Sequence, residues 1–111
     1  MTVATVVGSP SRLAGGLFQS VRRGAQALID QGWDVAVITL DDPLVKADAE
    51  AWLPIKPRIL PRRGPASLGF APQMGEVLRQ NDIELVHQHG IWQAFSAHVT
   101  TWQRRSGHPV I

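Results

Sequence analysis

Three times along this chain a helical pattern ends on a residue that accepts a left-handed backbone and then runs, within one to three residues, into an apolar stretch. The joints are "ALIDQGWDVAVITL", "EVLRQNDIELVH" and "WQRRSGHPVI", with Gly32, Asn81 and Gly107 where a helix C-cap takes positive φ. A chain built from such joints alternates helices with strands. Strands are expected at residues 3–8, 34–40, weakly at 58–60, and at 84–88, with a further start at Val110. "VAVITL" and "ATVVG" are continuous β-branched runs, which suits strands covered on both faces, as in a parallel sheet.

Leu17, Phe18, Val21, Ala25, Leu28 and Ile29 recur at helical spacing and predict an amphipathic helix, with Arg22, Arg23, Gln26 and Asp30 on its solvated side. Trp92, Phe95, Val99 and Trp102 predict a second, whose Arg104 and Arg105 suit the negative end of the helix dipole. The middle of the chain, residues 41–67, holds five of the eight prolines and reads as a long irregular connection with room for at most one short strand. Parallel strands joined by helices connect right-handedly. The expected fold class is therefore α/β, a doubly wound Rossmann-like parallel sheet of about four to five strands, incomplete at its last. Strands 2 and 3 run outward on one side of strand 1, and strand 4 lies against its other side. The loops after strands 1 and 4 then meet at the switch point, where open α/β sheets bind ligands.

The 111 residues fit one domain. With no cysteine, neither a disulfide framework nor a thiolate metal site is available. No run approaches the ~18 apolar residues of a membrane span, and Met1 to Gly8 lacks the basic start of a signal peptide. A cytoplasmic protein is expected. The net charge is only +2 and the arginines are scattered in pairs, without a basic face interleaved with aromatics, so nucleic acid is not an expected partner. Arg22 and Arg23, and Arg62 and Arg63, read as solvated charged faces.

The two informative loops follow strands 1 and 4. In "GSPSRLAGGLFQS", Gly15 and Gly16 stand just before the helix, where bare N–H groups and the positive dipole end would receive a phosphate, a carboxylate or a sugar hydroxyl. Ser9, Ser11 and Arg12 add polar groups beside them. The G-x-G-x-x-G fingerprint and the phosphate loop with its Gly-Lys-Ser/Thr are both missing, so no ordinary NAD or ATP loop is present. Close packing and an easy helix start would account for the same glycines. In "HQHGIW", His87 and His89 share one face of a strand. With no third ligand nearby, no metal is expected there. His89, with Gly90 opening the backbone, is the candidate to hydrogen-bond a substrate hydroxyl or phosphate, whereas His87 fits a satisfied core histidine better. Trp92 is in helical phase with Phe95 and Trp102 and reads as a core anchor before a sugar platform. His98, off the apolar stripe, and His108, in a turn, are not candidates.

Taken in order, "GGLFQSVRRGAQALIDQGWDVAVIT" and "DIELVHQHGIWQAFSAHVTTWQRRSGHPVI" resemble the N-terminal domain of the family 4 (group 1) glycosyltransferases, retaining enzymes of GT-B fold. The likeness is weakest from Pro43 to Pro72. It implies transfer of a sugar from a nucleotide-sugar donor to a glycan or lipid-linked acceptor, as in polysaccharide biosynthesis, with the nucleotide sugar as co-substrate and no further cofactor. It places Gly15 and Gly16 near the donor diphosphate from the acceptor side, and His89, Gly90 and Trp92 in the acceptor pocket. No catalytic residue is assigned beyond His89 as a candidate. Residues 1–111 would then be a partial acceptor-side domain, ending inside strand 5, with the donor-binding domain absent and the isolated piece inactive for want of cationic groups. The paired arginines permit contact with the inner face of a membrane without requiring it. A non-catalytic, flavodoxin-like binding or regulatory module is the alternative.

Overall fold

Strand β1 (Thr2–Val7) occupies the centre of the sheet because both of its faces are apolar: Val3, Ala4, Val6 and Val7 are all buried, and Thr5 with them. The computed structural model describes residues 2–8, 11, 15–61, 73–80, 82–89 and 96–111. In chain order the remaining elements are α1 (Gly16–Asp30), β2 (Asp34–Leu40), a single turn α2 (Val45–Asp48) continued by a 3₁₀ turn (Ala49–Trp52), β3 (Arg58–Leu60), α3 (Met74–Gln80), β4 (Leu85–His89) and α4 (Ser96–Ser106). The four strands are parallel and ordered β3-β2-β1-β4. Beyond β4, Val110 forms a parallel bridge with Val86, and Ile111 N–H donates to the Val86 carbonyl, so a fifth position begins at that edge. This is the Rossmann-like order that the alternating pattern implies.

Side chains alternate across the sheet and sort into two cores. On one face Val7 and Val37 meet Val21 and Ala25 of α1, together with Trp52. On the other, Ala4, Val6, Ile38, Leu40, Leu60 and Val86 meet Met74, Val77 and Leu78 of α3 and Val99 and Trp102 of α4. Burying one side chain of this size contributes roughly 1.5–3 kcal/mol, so both faces of β1 hold the domain together.

Two of the three joints are visible. After α1, Gly32 takes φ 94, its N–H donates to the Ile29 carbonyl, and Trp33 N–H donates to that of Leu28. That pair of bonds closes the helix in a Schellman motif, which needs the left-handed residue. Gly107, at φ 75, closes α4 through a bond to Gln103. Asn81 lies outside the described residues.

Three expectations are corrected. The connection after β2 is not irregular up to β3: Asp42 caps the turn into α2 by accepting Leu44 N–H at 2.7 Å, and the following 3₁₀ turn delivers Trp52 into the α1 core. Leu17, expected against the core, is exposed at the first turn of α1, with the stripe engaging only from Phe18 onward. Arg22 does not sit on a solvated face. Its guanidinium lies 4.7 Å from the Phe18 ring centroid and donates to the Ala51 carbonyl and to Gln19 Oε1, fastening α1 to the turn that carries Trp52.

Candidate functional site

The site is assembled by the sheet order. β1 and β4 are neighbours, and their ladder ends with Val7 opposite His89. The chain leaves β1 to reach α1 and leaves β4 to reach α4 from that same carboxyl edge, with no strand between them. Gly15, at the start of α1, has φ 63 and ψ −133, a backbone conformation almost reserved for glycine. Its carbonyl accepts Phe18 N–H, the first bond of the helix. Among the described residues nothing lies within 4 Å of where a Cβ on Gly15 or Gly16 would stand. Gly15 takes a backbone angle that few other residues adopt, and Gly16 opens α1 at the positive end of its dipole.

Ser11 is fully buried, and its hydroxyl donates to Asp42 Oδ2 at 2.7 Å. Asp42 also accepts Leu44 N–H, so the loop after β1 is tied to the loop after β2. Ser9, Arg12, Gly90 and Trp92 lie outside the described residues.

On β4, alternation turns Leu85, His87 and His89 toward the face that carries α1. There they line a cleft of about 340 Å³ with Val3 and Thr5 of β1 and Ser20, Val21, Gly24, Ala25 and Leu28 of α1. Trp33 and Ile111 complete it. The cleft follows β4 from Leu85 to His89. Ser20 and Gly24, one helical turn apart and without bulk, keep α1 thin above it. That small-residue pair was the sequence signal for the cleft, and the apolar stripe beside it hid it.

His87 does not sit as a satisfied core histidine. It is half-buried in the cleft wall, and its ring centroid stands 4.1 Å from that of His89 with the planes tilted by 38°. Neither imidazole has a hydrogen-bond partner among the described residues. Burial in the apolar cleft lowers the His89 pKa below the ordinary 6.5, and the neighbouring His87 lowers it further. Two polar rings are thus held against apolar walls at the edge where the glycine-opened helix begins.

A larger groove, about 530 Å³, lies elsewhere, between α3 and α4. Asp82 and Glu84 before β4, Ser106 at the end of α4 and His108 after it line the groove, which puts this end of it toward the amino ends of the strands. At its other end Gly75 admits His98, whose Nδ1 would stand 3.1 Å from a Cβ there. Open α/β sheets bind at the carboxyl edge, and the smaller cleft reaches that edge at His89, while Val3, Leu28, Trp33 and Leu85 carry its other end to the amino ends of the strands. The described residues contain no group of three or more His, Asp or Glu able to hold a metal ion. None of the described helices is long and apolar enough to cross a membrane.

The fold defines a Rossmann-like domain whose topological switch point falls between its first and fourth strands. The sequence matches the family described as Glycosyltransferase Family 4 over residues 14–111, and the chain belongs to that family. No curated protein matches the chain.

Proposed function

We propose that this domain forms the acceptor side of a sugar-transfer cleft. On this reading the parent enzyme moves a sugar from a nucleotide-sugar donor to a glycan or lipid-linked acceptor, with retention of configuration. The observation that carries the proposal is the closing pair of the β1–β4 ladder, Val7 opposite His89, which brings the start of α1 and the end of β4 to one rim. Gly15 and Gly16 offer backbone N–H groups with no described residue within 4 Å of their Cβ positions, suited to the edge of a diphosphate. His89 offers a ring at hydrogen-bonding range of a sugar hydroxyl seated in the same crevice. Stabilising the leaving diphosphate requires cationic groups aimed at it. Those groups belong, in this reading, to a second, donor-binding domain.

The test uses a saccharide array and a nucleotide-sugar hydrolysis assay. The chain alone should release no sugar from any nucleotide sugar and should retain a subset of saccharides, with retention lost in His89→Gln at an unchanged melting temperature. Sugar transfer by the chain alone, or saccharide retention indifferent to His89, would refute the assignment.

A further inference from the structure

We propose that His87 is a positioning residue for His89: set against it at 4.1 Å in the apolar cleft, it holds the His89 ring in place as a partner for a sugar hydroxyl rather than for a phosphate. What His89 touches rests on the sugar-transfer reading. The relation between the two rings does not.

The two side chains leave β4 on one face because they are two residues apart, and the cleft presses them to 4.1 Å between centroids. Among the described residues that line the cleft, none besides the two histidines carries an ionisable side chain. β1 presents Val3 and Thr5, and α1 presents Ser20, Val21, Gly24, Ala25 and Leu28. Trp33 and Leu85 close the far end. Ile111 completes the lining, its backbone oxygen accepting Gln88 N–H at 2.8 Å beside β4.

A proton arriving on His89 therefore meets no carboxylate side chain among the described lining residues. It also meets the other ring at stacking distance, where a second proton would add a like charge. The lowered pKa of His89 agrees with both causes, burial first and His87 second. A neutral imidazole keeps one donor and one acceptor nitrogen. A sugar hydroxyl, itself donor and acceptor, uses both, whereas a phosphate oxyanion uses only donors. His87 thus sets which chemistry its neighbour prefers.

The experiment is an NMR titration of the imidazole resonances in the wild-type chain, His87→Gln and His87→Phe. Phenylalanine keeps an aromatic ring and removes its ionisable nitrogens; glutamine removes both. His89 should titrate below the ordinary range in the wild type and shift upward in each variant. An unchanged His89 in both variants, or a shift in His87→Gln with none in His87→Phe, would overturn the proposal, since the latter assigns the effect to exposure alone. If one variant does not fold, the other decides. Failure of the sugar-transfer reading shows separately, as saccharides that leave His89 unmoved while its titration still depends on His87.

Discussion

Val7 and His89 are the final pair of the β1–β4 ladder, and the whole site follows from their being opposite one another. Had β4 paired with β3 at the far edge of the sheet, its histidines and the start of α1 would stand two strands apart. The right-handed crossover instead returns β4 to the free side of β1.

Gly15 and Gly16 should separate under mutation. Gly15→Ala places a Cβ on a backbone at φ 63 and ψ −133 and should cost about 1–3 kcal/mol of stability. Gly16→Ala meets no described residue within 4 Å of its Cβ and carries no positive φ, so denaturant unfolding should be unchanged or slightly improved while diphosphate binding weakens. Equal loss of stability in both would place the pair in packing.

Ser11→Ala removes a buried hydroxyl from Asp42 and unties the loops after β1 and β2. A loss of about 1–3 kcal/mol is expected in chemical denaturation, as for a hydrogen bond to a charged partner. A variant as stable as wild type would show that the contact contributes nothing in solution.

Trp52 is 3% exposed and meets Phe18 edge to face at 6.3 Å. Trp52→Ala should therefore cost about 3–5 kcal/mol, measured as a drop in the midpoint of thermal unfolding. A loss under 1 kcal/mol, within the range of ordinary surface substitutions, would mean that the turn carrying it is not docked on α1.

The folded His89 binds a proton less readily than the unfolded chain does, because its pKa is lowered. Below the ordinary 6.5 the unfolded state then holds more protons, so the His89 contribution is fully present above that value and is lost as pH falls toward the folded pKa. Stability measured across this window should fall with acidification, and the fall should be smaller in His89→Gln. An identical pH dependence in the variant would remove His89 as its source.

The alternating joints made the sheet order legible, since Gly32 and Gly107 announce helix ends through a backbone angle that few other residues take. Arg22 and Trp52 were not legible. Each owes its place to the other's element, the turn at Ala51 that receives the guanidinium, and a contact across 29 residues leaves no local period. The two histidines could be placed on one face from their spacing alone. That they would stack in a cleft needed the thin flank of α1 at Ser20 and Gly24, visible only once the helix is laid beside β4.

The central claim, one rim shared by the start of α1 and the end of β4, is tested most directly by a chemical-shift map of the chain titrated with a nucleoside diphosphate sugar. The Gly15 and Gly16 amides and the His89 imidazole should move together along one binding curve, with Arg79 and Arg105 of the α3–α4 groove unmoved. Shifts confined to one of the two loops, or to that groove, would contradict it.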